Sequence, residues 1–552
     1  MTNSIPEIRD ADFLFVIGSN TTEAHPIIAM EMKRAVGRGA KLAVADPRAI
    51  WLTEIADWHM QLKPGSDVWL LNAMAHVILE EGLEHKDFIE ASTENFDSVR
   101  ETVKRYPPEE AEQHTGVPAE TIRQVARAYA STPKAGIYYT LGITEHTTGT
   151  DNVYALSNLV LMTGHLGVRS AGMNPLRGQN NVQGANDAGA TPVFYPGYQN
   201  ASDPEVRAKF GEAWGVPQND EPGLNLNQMM KVLGKQLKGL YLMGEDIVVS
   251  EPNVGRVEEA LNTMELVVVQ DIFFNESCRF ADVILPAACF AEKDGVFTNS
   301  DRRVQRVRKA VEPPGQARAD WEILKEVMDR AGLEQPDYSH PAEVYSEMAA
   351  LAPKFSGISH DRLNADPMGL QWPVTAPDQP STEYLHKDGV ARGKGLFQAV
   401  EYRAPFEEAD PEFPLVLSTG RTLYHYNAAT QTRRSEGLSG KQPECFVEVH
   451  RRDARKLGIQ DGQRVDVVTR RGRVPSRVLV SKQVRPGAIW MPFHFPDSKT
   501  NLLTTDAGDA VTGTGEYKVC AARIEIRSGE DGAEAALEQI FPGSYAAAVK
   551  GG

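Results

Sequence analysis

The stretch DADFLFVIGSN, Asp10–Asn20, leads through HPIIAMEMKRAVGRG into KLAVADPR, Lys41–Arg48, and sets the architecture of the first 300 residues. Phe13 to Ile17 is an unbroken apolar run ending at Gly18-Ser19-Asn20, as expected of a strand followed by a tight turn. The next segment has helical character, and a second apolar run ends at Asp46. IADWHMQLKPGSD, from Ile55, closes the unit. The same layout returns as KGLYLMGED, Lys238–Asp246, a helical segment from Asn253 to Asn262, ELVVVQD ending at Asp271, and FADVILPAACFAEKDG. Gly18 to Asp46 spans 28 residues and Gly244 to Asp271 spans 27, while Asp46–Asp57 and Asp271–Asp282 are both 11 apart. Two equivalent β-α-β units are expected, each with parallel strands buried on both faces.

A strand ending in Gly before a helix, with an acid closing the next strand, is the layout of a nucleotide site. Gly18, Asn20 and Asp46 are the candidates in the first copy, with Arg48 of the DPR turn and with Gly65 and Asp67 of PGSD beside them. Gly244, Asp246, Gln270 and Asp271 are their counterparts in the second. Neither copy contains G-x-G-x-x-G, so an ordinary nicotinamide site is a weak reading.

Between the units, Glu80 to Ala130 reads as helices. Ala135 to Leu141 reads as a buried strand ending at Gly142, and Asp151 to Gly164 as a helix. Leu351 to Phe413, punctuated by Pro and Gly, reads as a connector without its own core. After it, FPLVLSTGR, FVEVH, RVDVVTRRGRVPSRVLVS, GAIWMPFHF and YKVCAARIEI alternate β-branched and polar residues, which is the pattern of a separate β barrel. The expected fold class is therefore multidomain α/β: two related nucleotide-binding-type α/β domains with parallel sheets plus a C-terminal β-barrel domain. Boundaries are expected at 1–179, 180–291, 292–404 and 405–552.

Composition narrows the partners. The chain is 41% hydrophobic and 24% charged with a net charge of −17, and its pI is near 5.3. Such a balance disfavours nucleic acid and anionic membranes, and no apolar run approaches a membrane span. Cys278, Cys289, Cys445 and Cys520 form no C-x-x-C pair, so their spacing builds neither a zinc nor an iron–sulfur site. Reduced cysteines of a cytoplasmic protein are expected.

The segment GMNPLRGQNNVQGANDAGATPVFYPGYQ, Gly172–Gln199, places one Arg among many Asn, Gln and Gly residues with no regular period. Amide side chains and exposed backbone N–H groups suit a polyanionic ligand, and an Arg fork suits a small planar anion. A polar loop tied to itself by amide hydrogen bonds fits that composition equally well. NPLRGQNNVQGA, the following YPGYQ, LGIxDGxxVxV around Gly458 and the closing NLLTTDAGDAVTGTGEYK resemble the large (alpha) subunit of molybdopterin-dependent formate dehydrogenases.

The resemblance implies bis-(molybdopterin guanine dinucleotide) carrying molybdenum or tungsten, whose two nucleotide arms match the two units. It implies formate as substrate, held by Arg177 with Gln179 and Asn181 shaping the pocket. Gly420, Arg421, His425, Asn501 and Lys518 become cofactor contacts from the barrel, although a His between two tyrosines is by default a packed residue. Asn186 stands where many relatives have Cys. The family also carries an N-terminal iron–sulfur domain and a Cys or selenocysteine metal ligand with a His beside it. None of the four cysteines matches that ligand, so no metal ligand is assigned. The chain is expected to be an N-terminally short form whose iron–sulfur part, or a partner carrying it, lies elsewhere. Iron–sulfur and NAD or flavin subunits are the further partners implied. The alternatives are a non-catalytic molybdopterin-binding fragment or another molybdopterin oxidoreductase such as a nitrate reductase.

Overall fold

The computed structural model describes residues 1–527. Its first layer is a five-stranded parallel sheet of β1 (Phe13–Ile17), β2 (Lys41–Ala45), β3 (Trp58–Met60), β4 (Ala135–Tyr139) and β5 (Gly172–Pro175), in the order β3-β2-β1-β4-β5. Every residue of β1 and β4 is buried. Phe13, Phe15 and Ile17 pack against α2 (Asp67–Glu80), α3 (Ala119–Ser131) and α4 (Gly149–Met162). Leu14 and Val16 face the other way, onto Ile28, Met32 and Ala35 of α1 (Pro26–Gly37). Continuous apolar strands are what a sheet covered on both faces requires.

The second sheet is smaller: β6 (Gly239–Met243), β7 (Leu266–Asp271) and β8 (Val283–Pro286), parallel, in the order β8-β7-β6. Leu240, Leu242, Val267 and Val269 meet Val254, Val257 and Leu261 of α5 (Val254–Leu261). The opposite face is largely uncovered, with Tyr241, Met243, Leu266 and Val283 between 38% and 50% exposed. The expectation of burial on both faces therefore holds for the first unit and fails for the second. On the covered face Met229, Met230, Ile247 and Val248 of shorter helical segments pack beside α5, and the other face is open except at Gln270, which is buried and bonded to Asp320.

The repeat is nevertheless reproduced at the level of single bonds. Gly18 N donates to Ala45 O at 2.9 Å and Gly244 N to Gln270 O at 2.8 Å. Asp57 accepts from Leu42 N at 2.9 Å, and Asp282 accepts from Val267 N at 2.8 Å.

Residues 295–374 form a unit of their own, which takes in the first part of the connector expected from Leu351 to Phe413. Strands β9 (Gly295–Thr298), β10 (Arg303–Val307) and β11 (Leu370–Gln371) form a small antiparallel sheet. Val304, Tyr345, Phe355, Leu363 and Trp372 form an apolar core of their own around it. The Pro- and Gly-rich text hid this core because its apolar residues follow no period. Further on, Gly395–Leu396 pairs with Thr93–Glu94, tying the segment back to the first layer.

The last unit is a closed barrel of β12 (Leu415–Gly420), β13 (Phe446–His450), β14 (Arg464–Val468), β15 (Arg473–Ser481), β16 (Ala488–Pro492) and β17 (Cys520–Ile526). The final 25 residues of the barrel domain expected at 405–552 lie outside the described residues. Among the described residues no helix is long and apolar enough to cross a membrane.

Candidate functional site

Two cavities open where the carboxyl ends of the two parallel sheets meet the barrel, which is where open α/β sheets bind ligands. The first, about 450 Å³, is lined by the strand-end residues Gly18, Asn20, Asp46, Arg48 and Gly142, and by Gly65 and Asp67 at the start of α2. Gly420, Arg421, His425 and Lys518 close it from the barrel. The second, about 700 Å³, is lined by Gly244, Asp246, Gln270, Asp271 and Asn501. Gln179, Thr419, Arg421, Tyr426, Asn427 and Lys518 border both, so the two spaces adjoin along one seam.

The glycines act differently in the two halves. A Cβ on Gly18 would fall 2.7 Å from Gly142 C, and one on Gly142 would fall 2.5 Å from Gly18 O. These two strand ends touch backbone to backbone, with Gly142 N donating to Gly18 O at 3.1 Å. Gly244 adopts the left-handed conformation at φ 64 but has nothing within 4 Å of a Cβ. Its lack of a side chain serves the turn and leaves room on the cavity side.

Electrostatics differ as well. Burial pushes the Asp46 carboxyl up to about 6 against the pull of the Arg48 backbone N–H and guanidinium. Around the second cavity burial raises Glu245, Asp246 and Asp271, and it raises Glu251, with Glu245 adding to the shift, to about 8. Cationic groups sit at the seam. Lys518 Nζ is 2.7 Å from Glu145 and donates to Thr419 O at 2.9 Å, and Arg421 lies 3.9 Å from the same carboxylate.

The barrel is clamped to the first half by a buried pair. His146 Nδ1 is 3.3 Å from Glu516, and the Thr147 backbone donates to the same carboxylate at 2.9 Å. Burial alone would lower the imidazole pKa, but Glu516 and then Asp67 outweigh it and raise His146 to about 9. Against the second half Asn501 Nδ2 donates to Val249 O and Ser250 O, each at 2.9 Å, and the more exposed ion pairs Lys499–Glu258 and Arg256–Asp506 join the two as well. Sequence reading missed Glu145, His146 and Glu516 because their partners lie hundreds of residues away and no local pattern marks them.

Several predicted residues are engaged within the protein. Asp246 accepts from Ser277 N at 3.0 Å, Ser277 Oγ at 2.8 Å and Glu276 N at 3.2 Å, so its carboxylate holds the 275–277 turn. His425 has both ring nitrogens engaged, by Thr432 Oγ1 at 3.1 Å and Gln442 O at 2.9 Å, and borders the first cavity with its ring alone. Asn181 Oδ1 accepts from Thr298 N at 2.9 Å, which anchors the loop on β9. Gln179 Nε2 donates to Asn427 Oδ1 at 3.0 Å across the seam. Arg177 is exposed and lines neither cavity, although Leu176, Gly178 and Gln179 beside it do. Its backbone is pinned by Ser300, with Arg177 N donating to Ser300 Oγ at 3.1 Å, and by His25 Nε2 at 2.8 Å from Arg177 O.

Buried polar atoms without a partner test whether a large polar ligand suits this space. Asn20 Oδ1, His25 Nδ1, Arg421 Nε and Thr422 Oγ1 are such atoms in residues lining the first cavity, and Asn501 Oδ1 in the second. Each such group costs about 1–3 kcal/mol when left unpaired, and a ligand rich in donors and acceptors removes that cost. Two adjoining cavities, unpaired donors and acceptors, and cations at the seam fit a polyanionic ligand with two nucleotide arms. Among the described residues no cluster of His, Cys, Asp and Glu is arranged to hold a metal ion.

Comparisons with known proteins agree with this geometry. The Molybdopterin oxidoreductase family matches residues 1–330, and the Molydopterin dinucleotide binding domain matches residues 415–521. The alpha subunit of F420-dependent formate dehydrogenase 2 of Methanococcus maripaludis is 44% identical over 529 residues, covering 95% of this chain and 78% of that protein. Formate dehydrogenase H of Escherichia coli is 39% identical over 542 residues, covering 97% of this chain and 75% of that protein. Among solved structures, acetylene hydratase from Pelobacter acetylenicus superposes with a TM-score of 0.74 at 18% identity, over 95% of this chain and 81% of that one. That likeness is one of fold.

Proposed function

The chain belongs to the molybdopterin oxidoreductase family, and we propose that it is the alpha subunit of a formate dehydrogenase, oxidising formate to CO2 with release of a proton and two electrons. The observation that carries this reading is the seam itself. Two equivalent nucleotide-type strand ends converge there, and the Arg177 loop runs along it, in a chain 44% identical to a formate dehydrogenase alpha subunit.

The first arm of bis-(molybdopterin guanine dinucleotide) falls to Gly18, Asn20, Asp46 and Arg48, and the second to Gly244, Gln270 and Asp271. Arg421 and Lys518 lie between them, placed to neutralise the phosphates. When bound, the molybdenum or tungsten group supplies the two-electron acceptor. Arg177 supplies the substrate grip. Its terminal Nη groups make no protein hydrogen bond among the described residues, so they can meet both oxygens of a carboxylate. Formate has almost no apolar surface, which leaves a charge-assisted grip as the principal handle. Gln179 borders both cavities beside that grip, and Asn181 holds the loop that carries it. Iron–sulfur subunits, with NAD or flavin subunits beyond them, are the partners this reading implies, and the cytoplasm is the compartment. The boundaries at 179, 291 and 404 separate the two halves, the small antiparallel unit and the barrel.

Arg177→Lys in the cofactor-loaded enzyme keeps the charge and loses the fork. Formate kcat/KM is expected to fall on the order of 10- to 100-fold, about 1.5–3 kcal/mol, with cofactor content unchanged. Unaltered formate kinetics in a fully loaded variant would remove Arg177 from the site.

A further inference from the structure

The loop that presents Arg177 contains a buried hydrogen-bond chain leading to its side chain. Arg177 Nε donates to Gln183 Oε1 at 3.2 Å. Gln183 is 4% exposed, and its Nε2 donates to Asp187 Oδ1 at 2.8 Å and to Tyr198 Oη at 2.7 Å. Tyr198 donates in turn to Asp187 Oδ1 at 2.8 Å, and Trp372 Nε1 donates to Asp187 Oδ2 at 2.8 Å. Asp187 is 2% exposed, so each of its oxygens is served by a donor inside the protein.

This arrangement leaves the Gln183 amide one orientation. Turned over, it would set its own oxygen against the Asp187 carboxylate and leave Arg177 Nε facing an N–H, two repulsive contacts in a buried place. The carboxylate thus determines which end of the amide faces Arg177. Because the bond is made to Nε and not to a terminal nitrogen, it restrains rotation about the last side-chain torsion and leaves the end-on edge of the guanidinium, formed by the two Nη groups, unoccupied by Gln183. The backbone is held independently by Ser300 and His25.

We propose that Gln183 is a positioning residue for substrate binding, oriented by Asp187, Tyr198 and Trp372, which holds the Arg177 guanidinium plane so that its two terminal nitrogens meet a planar carboxylate together. The assignment rests on the reading of Arg177 as the formate-binding side chain. It gives Trp372, delivered by the small antiparallel unit, a part in the site: it braces the carboxylate that orients the amide. An exposed Arg without such a brace would sample many rotamers, and each further rotamer sampled would lower the share of enzyme ready to bind.

The test uses the cofactor-loaded enzyme and follows formate KM and kcat, competitive inhibition by azide as a small monoanion that does not react in formate's place, and released guanine nucleotide per chain. Gln183→Met keeps the length of the side chain and removes both polar atoms. It is expected to raise formate KM about 10-fold and the azide inhibition constant by the same factor, with kcat changed less than about 3-fold and nucleotide content unaltered. In an Arg177→Ala background the same substitution should have no further effect on KM, because the group it positions is gone. A residue that merely stabilises the loop would give multiplicative losses in that background. Should Gln183→Met load cofactor poorly, Tyr198→Phe decides, withdrawing one hydroxyl and raising KM about 3-fold. Parental KM and azide inhibition in a loaded Gln183→Met enzyme, or a full independent loss on top of Arg177→Ala, overturns the assignment. A loaded parent enzyme, joined by the part that carries the metal ligand, that leaves formate unoxidised overturns the formate reading first, and this assignment with it.

Discussion

The two β-α-β halves share spacing and turn hydrogen bonds but not surroundings. In the first, β1 is buried on both faces between four helices; in the second, β6 and β7 alternate between a covered face and an open one. The same kind of apolar strand therefore encodes where the chain turns, not how much of it is covered. Coverage depends on what the rest of the chain brings, and the second half brings its helical segments to one face of the sheet. The barrel docks differently on each half too: a buried His146–Glu516 pair holds the first, while the second is met by an amide on two carbonyls and by the more exposed ion pairs Lys499–Glu258 and Arg256–Asp506.

The largest expected effect lies in the doubly covered sheet. Phe15→Ala removes a side chain with no exposed surface and should cost about 3–5 kcal/mol, read as a lowered denaturation midpoint. A loss below 1 kcal/mol would mean that the first sheet is not packed as described.

Next comes the pH dependence of the barrel contact. His146 is raised from its ordinary value to about 9 in the folded chain, so its contribution to stability is complete below about pH 6.5 and is lost as pH rises through about 9. The melting temperature should fall across that window, and His146→Gln should flatten the fall. An equal slope in the variant would place the titrating group elsewhere.

The smallest effect belongs to the open face of the second sheet. Val283→Thr, at a side chain 42% exposed, should change stability by less than about 0.5 kcal/mol in the isolated chain. A loss comparable to that of Phe15→Ala would mean that this face is buried after all.

Much of this was legible in the sequence. The strand ends at Gly18, Asp46, Gly244 and Asp271 follow from spacing alone, and all four line the cavities. The open sheet face was not legible, because a strand such as GLYLM reads alike whether one face or two is covered. The core around Phe355 and Trp372 was hidden among Pro and Gly residues, since it assembles from positions without a period. Asp246 and Asn181 were chosen for the right chemistry, but their hydrogen-bond partners, Ser277 and Thr298, are tertiary facts. The Arg177 loop was read from composition either as a ligand grip or as a self-bonded loop. The loop bonds to itself through Gln183, Asp187 and Tyr198 without taking up the terminal nitrogens of Arg177, so the two readings do not exclude each other.

The central claim is that two unequally covered halves serve as equivalent nucleotide sites. Counting the nucleotide released by acid from cofactor-loaded protein tests it most directly. The account predicts GMP at two per chain, whereas one per chain, AMP, or bound nicotinamide dinucleotide would contradict it.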